Sequence, residues 1–211
     1  MRNTQIDNAI ARALSRDRLN KYLTATGSNL DLALALYERN TRLAEAFYTP
    51  LQAMEVAFRN HLDLQMAAAY GADWMTNGQA PLHQDAVDAI HRAIRDLGQS
   101  NKPVTPGAIV AELHFFFWVS LLGPRYDATL WRKALYKAFS AQGRPLKRKL
   151  VHGRFNALRR FRNRVAHHEP IFTNDLERLH SEVLEAIGWM CPDTAAWTAH
   201  HSRFLAVFSG P

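Results

Sequence analysis

Residues 29–71 read NLDLALALYERNTRLAEAFYTPLQAMEVAFRNHLDLQMAAAYG, and the spacing of their apolar residues decides the fold class. Leu36, Leu43, Phe47, Leu51, Met54, Phe58 and Leu62 recur at intervals of three, four and seven, which builds one apolar stripe along a helix. Asn29 reads as the N-cap of this run and Gly71 as its stop. Pro50 falls inside the run and is expected to kink or divide it, because proline lacks the N–H that an interior position needs.

The same period continues on both sides. Over 6–23, Ile6, Ile10, Leu14, Leu19, Tyr22 and Leu23 follow one another three to five residues apart or adjacent. A shorter amphipathic helix is expected over 85–97, stopping at Gly98. GQSNKPVTPG at 98–107 is the clearest loop and marks a possible subdomain boundary within one helical domain over 1–211. Thr105-Pro106 then opens a helix expected to run to Leu122, where Gly123-Pro124 stops it. A further helix is expected over 128–141, and a basic one over 146–167. Glu169 precedes Pro170, which disfavours helical geometry, so the basic helix should end on His167 and His168. Helices over 174–190 and 194–207 complete the chain. Hardly any stretch alternates with period two, and the expectation is an all-α helical bundle.

Apolar residues make up 47% of the 211 and charged residues 21%, the balance of a globular chain. The single cysteine, Cys191, excludes an internal disulfide framework and an all-cysteine zinc site, which fits a reducing compartment. Met1-Arg2-Asn3-Thr4-Gln5 leads into a polar helical pattern with no apolar signal core. The most apolar stretch, 113–122, is about half the length needed to span a bilayer. A cytoplasmic protein with no membrane partner is expected.

The net charge of +7 is unevenly placed. Between 128 and 168 there are twelve Lys or Arg and no Asp or Glu, whereas the remainder holds fourteen basic and nineteen acidic residues. A single-sign block of this kind suits a polyanion such as nucleic acid, and its bland alternative is a solvated face that aids solubility.

That block ends in RRFRNRVAHHEP at 159–170. A histidine at a helix C-terminus feels the negative end of the dipole, and arginines one and two turns earlier offer forked donors to a phosphate. Together they supply what RNA cleavage without a metal needs. An imidazole exchanges protons with the 2′-hydroxyl or the leaving 5′-oxygen, and a guanidinium steadies the charge growing on phosphorus. The bare spacing of Arg then His carries no weight, since about three such pairs arise by chance in a chain of this composition. On the residues alone, a helix cap in which the two histidines bond the last carbonyls competes with the catalytic reading.

RFRNRVAHHEPIF at 161–172, followed by Ile187-Gly188-Trp189-Met190-Cys191-Pro192, resembles the C-terminal signature of the Abi-like (abortive infection, AbiD/AbiF type) family. Upstream, Leu36 with Asn40, Met54-Glu55-Val56-Ala57-Phe58-Arg59-Asn60, Tyr70-Gly71 through Trp74, Phe117-Trp118 with Leu121, and Leu130-Trp131 fit the same pattern in order, over roughly 15–195. That family is similar to the HEPN superfamily of helical ribonucleases, whose active site is an Arg, a polar neighbour and a His, commonly across a dimer interface. The resemblance implies a HEPN-like bundle with additional N-terminal helices and no cofactor. It gives Arg162 the phosphate, Asn163 the polar neighbour's place and His167 the catalytic role, with His168 at a further family position. It also implies that Glu55, Arg59 and Asn60 support that end or contact phosphate. Glu55 and Arg59, four apart on one helix face, read alternatively as a surface ion pair.

Lys147, Arg148, Lys149, Arg154, Arg159, Arg160 and Arg164 are the candidate RNA contacts along the basic helix. No set of histidines reaches metal-ligand spacing, and His200-His201 reads as surface. Phe115-Phe116-Phe117-Trp118 would stack bases if exposed, but aromatics among Val and Leu usually pack inside. The expectation is thus a metal-independent endoribonuclease of phage defence or toxin type, acting on RNA as a homodimer. Its alternatives are an RNA-binding protein that does not cut and a helical dimerisation module with incidental charge.

Overall fold

The computed structural model describes residues 4–210, so the start read at Met1-Arg2-Asn3 lies outside the described residues. The chain is an all-α bundle with one minimal strand pair. Helix α1 (Thr4–Leu14) and α2 (Arg16–Ala25) replace the single run expected over 6–23. Ser15 breaks it at φ 72°, and its hydroxyl then accepts the Arg18 N–H (3.3 Å), capping α2. Asn29 caps α3 (Leu30–Ala46) through the Leu32 N–H at 3.1 Å. The division from α4 (Tyr48–Tyr70) falls at Phe47. Pro50 therefore sits in the first turn of α4, where its missing N–H would have had no intrahelical acceptor. Gly71, at φ 95°, ends α4 in a conformation that costs glycine little.

Helix α5 (Gln84–Gln99) runs one residue past the stop expected at Gly98, so the loop before α6 (Pro106–Glu112) is 100–105 rather than 98–107, and both helices contribute to one core through Leu97, Ile109 and Val110. The helix expected over 105–122 is broken: α6 ends at Glu112 and α7 (Phe115–Ser120) begins after an extended Leu113-His114. The break brings Leu113, Phe115, Phe117 and Trp118 all into the core, which an unbroken helix could not do on one face. After a 3-10 turn at Pro124–Tyr126, the helix expected over 128–141 is replaced by a wide π turn at Asp127–Trp131 and a 3-10 turn at Leu135–Ala138. Then Ser140–Ala141 pairs antiparallel with Arg144–Pro145 across Gln142-Gly143, both at positive φ.

Helix α8 (Arg148–Ala166) is the basic helix, and α9 (Leu176–Gly188) follows it behind an Asp175 cap. The last expected run is two helices, α10 (Pro192–His201) and α11 (Phe204–Ser209). Ser202 separates them; its hydroxyl accepts the Phe204 N–H and bonds buried His180 at 2.8 Å. Among the described residues no helix is long and apolar enough to cross a membrane.

Helices α4 and α8 touch through two side-chain contacts in opposite chain order: Glu55 meets Arg162, and three residues on along α4 Phe58 stacks at 4.0 Å on Phe155, seven residues back along α8. The main core surrounds that stack. A second, smaller core of Leu19, Tyr22, Ala33 and Leu34 holds the N-terminal helices, and Phe172 packs against it. Buried Asn40 joins the two parts. Its Oδ1 accepts the N–H groups of Ile171 (2.7 Å) and Phe172 (3.1 Å), just after the histidine pair. Alanine at Asn40 strands both donors, so a loss of about 1–3 kcal/mol is expected in urea unfolding. A loss too small to resolve would mean that water or a shifted backbone replaces the side chain.

Candidate functional site

The end of α8 is shaped by its sequence. The His167 N–H donates to the Asn163 carbonyl (2.8 Å), the His168 N–H to Val165 (3.0 Å) and the Glu169 N–H to Arg164 (2.8 Å). The last two bonds form a Schellman cap with His168 at the left-handed position, φ 56°. Glycine is usual there, and a side chain at that φ costs on the order of 1 kcal/mol. The histidine pair thus does terminate the helix, through backbone bonds rather than through its imidazoles. Pro170 follows two residues later and stops any continuation.

Arg162 stands one turn before this cap. Its Nε donates to one Glu55 oxygen (2.9 Å) and its Nη2 to the other (3.3 Å), a forked charge-assisted pair between α8 and α4. Of the two readings of Glu55, the surface pair with Arg59 is not formed, and Glu55 takes its partner, Arg162, from α8. Arg59 turns to the Ala111 carbonyl instead (3.4 Å). A groove of about 710 Å³ opens beside the pair, and its lining includes Tyr48, Leu51, Val56, Arg59, Arg162 and His168. Arg162 keeps 36% of its side chain exposed there. Two of the five N–H donors of a guanidinium are engaged by Glu55, so the others are available to an anion in the groove.

His167 is exposed beyond the groove lining, and its carbonyl accepts from Arg18 of α2 at 3.5 Å. Asn163 is half-buried on α8, and Asn60 is exposed on α4. The structure thus brings together Arg162, Glu55, Arg59 and His168, with His167 next door on the cap.

The basic helix is less bare than its sequence. Arg148 pairs with Asp127 (2.9 Å) and the Leu122 carbonyl (2.8 Å). Arg154 pairs with Glu185 and lies over Trp189. Arg164 donates to the Pro170 carbonyl and pairs with Glu169 (3.5 Å). Arg159 is held by Asn156. Burial, and then the neighbouring Arg148, holds the His152 imidazole below its ordinary value. Lys147, Lys149 and Arg160 are exposed and remain the open cations of the set. Lys149 lies about 20 Å along the axis from Arg162, so it cannot share one phosphate with it.

Sequence reasoning missed Arg18 altogether; it named Asn40 only within the resemblance, and it expected Phe116 to pack inside with its aromatic neighbours, whereas Phe116 is 62% exposed. Asn40 had a signal, since it is a polar residue at an apolar place in the stripe, between Leu36 and Leu43. Arg18 had none. Among the described residues, no group of three or more His, Cys, Asp or Glu is placed to hold a metal ion.

No protein-family model, curated protein or solved structure matches this chain. The groove and the end of α8 are accordingly the ground for a functional reading.

Proposed function

We propose that this chain is a metal-independent endoribonuclease of the Abi-like, HEPN type, acting in phage defence or as a toxin. The observation that supports the proposal is one groove lined by Arg162, held by Glu55 of α4, and by His168, with His167 beside it on the cap of α8. Glu55 orients the guanidinium, whose other donors hold the scissile phosphate. His167 and His168 supply the proton transfers. One imidazole takes the 2′-hydroxyl proton as the 2′-oxygen bonds to phosphorus. The P–O5′ bond breaks, and the 5′-oxygen leaves with a proton from an imidazolium. The products are a 2′,3′-cyclic phosphate and a 5′-hydroxyl. Arg59, half-buried at the groove, is a further contact for the phosphate.

The proposed form is a homodimer with two such sites facing each other. Tyr48, 67% exposed on the groove, and its half-buried neighbour Val56 offer an apolar face to a second copy.

A specific observation favours the second reading, an RNA-binding protein that does not cut. The guanidinium is already paired with a carboxylate, which lowers the net charge that a phosphate meets. One assay separates the two: labelled cellular RNA incubated with the pure protein in EDTA. The expected outcome is cleavage that leaves cyclic-phosphate ends. RNA that stays intact while bound, with affinity falling steeply as salt rises, would replace the first reading by the second.

A further inference from the structure

Phe115, Phe117 and Trp118 are between 1% and 5% exposed, but Phe116, in the middle of the same run, is 62% exposed. It stands on α7 against α8, and the Arg159 guanidinium lies 5.3 Å from its ring centroid. Asn156, one turn back, accepts from Arg159 Nε (3.2 Å) and Nη2 (3.1 Å) and so fixes the plane of that guanidinium. A large ring left in water beside an immobilised flat cation departs from the packing of the residues around it.

Its position connects it to the groove. Arg159 precedes Arg162 by three residues, about 5 Å along α8 and on the same broad face. On α4, which meets α8 in opposite chain order, Arg59 follows Glu55 by one turn in the same direction and reaches the Ala111 carbonyl of α6, the helix just before α7. Arg59 on α4, and Arg159 with Phe116 on α8 and α7, thus lie in the same direction from the Arg162–Glu55 pair.

We infer that Phe116 with Arg159 is a stacking site for an unpaired nucleobase, next to the nucleotide whose phosphate is held at Arg162. This deepens the ribonuclease reading and rests on RNA being the ligand of the groove. Phe116 offers a π-face, and the guanidinium plane flanks the base while its charge favours the polyanion. A duplex buries its base faces in its own stack, so the site takes single-stranded RNA and gains nothing from paired RNA. An aromatic platform reads stacking and not base edges, so it is tolerant of sequence.

The test uses the full chain and a short RNA with one 2-aminopurine beside a 2′-O-methyl linkage that cannot be cut. Wild type is expected to bind it and quench its fluorescence. Phe116→Ala should lose the quenching and weaken binding about tenfold, with binding of the matched duplex unchanged. Phe116→Trp should restore both, and Arg159→Gln should keep part. Phe116 lies on the surface, and a circular dichroism melt confirms that each variant folds. Equal quenching and affinity in wild type and Phe116→Ala would overturn the stacking site, as would the absence of quenching in wild type. So would a change of oligomeric mass in Phe116→Ala that leaves quenching intact, since the ring would then serve a protein contact.

The two readings fail separately. Phe116-dependent quenching without cleavage of the unmodified RNA removes the ribonuclease and leaves the stacking site. Cleavage with Phe116-independent binding does the reverse.

Discussion

Alanine at His167 is expected to lower RNA cleavage in EDTA by about 10²–10⁴-fold, the usual contribution of a positioned acid or base. The fold should hardly notice. The cap at the end of α8 is made by backbone groups of residues 163–169, and the His167 carbonyl that accepts from Arg18 survives the substitution. His168 needs a different variant, because it holds the left-handed position. His168→Gly removes the imidazole and also relieves a backbone cost on the order of 1 kcal/mol, so this protein should melt higher than wild type. Loss of cleavage in both variants is expected where the two imidazoles divide the transfers; if His168→Gly cuts and His167→Ala does not, His167 alone carries them. The opposite pattern would transfer that role to His168, the member of the pair that lines the groove. Full cleavage by both variants would remove the pair from the chemistry and leave it as the end of a helix.

Phe155→Ala should cost about 3–5 kcal/mol in urea unfolding, the range for removing a buried phenylalanine. Phe155 is fully buried on α8 and stacks on Phe58 of α4 at 4.0 Å, with Phe139 at 5.7 Å and Trp189 at 6.5 Å. These rings come from four separate segments, so the cavity left by alanine cannot close by moving one of them. The same contact sets the register of α4 against α8, on which the Arg162–Glu55 pair depends two turns away. Phe155→Leu should lose less, since it keeps most of the volume. A loss below about 1 kcal/mol for the alanine variant would mean that the core repacks, and that the stack does not set the register.

Local signals were legible wherever their chemistry is local. Asn29, Gly71, Thr105-Pro106 and the histidine pair before Pro170 mark helix ends because a capping side chain, a left-handed glycine or a missing N–H acts on neighbours a few residues away. Interruptions that preserve the apolar spacing were not legible. The breaks at Ser15, Leu113-His114 and Ser202 leave the period nearly intact, and 128–141 has helical spacing but folds into 3-10 and π turns. At Leu113-His114 burial outweighed the regular ladder, since Leu113, Phe115, Phe117 and Trp118 all turn inward, while at Ser15 and Ser202 a serine hydroxyl caps the helix that follows.

The sequence was sufficient for an all-α fold, for an acid-free basic helix ending on His167 and His168, and for the choice of Arg162 as a candidate site residue. It could not say which charge meets which. Glu55 is four residues from Arg59 but pairs with Arg162, 107 residues away. The arginines of the acid-free helix likewise find Asp127 and Glu185 on other segments. It could not say which of four consecutive aromatics stays in water, or that Asn40 would hold the backbone beyond the histidines. Helical order depends on neighbours within a few residues, so it can be read along the chain. A groove, an ion pair or an exposed ring depends on which helices lie side by side, and that is settled only when the core packs.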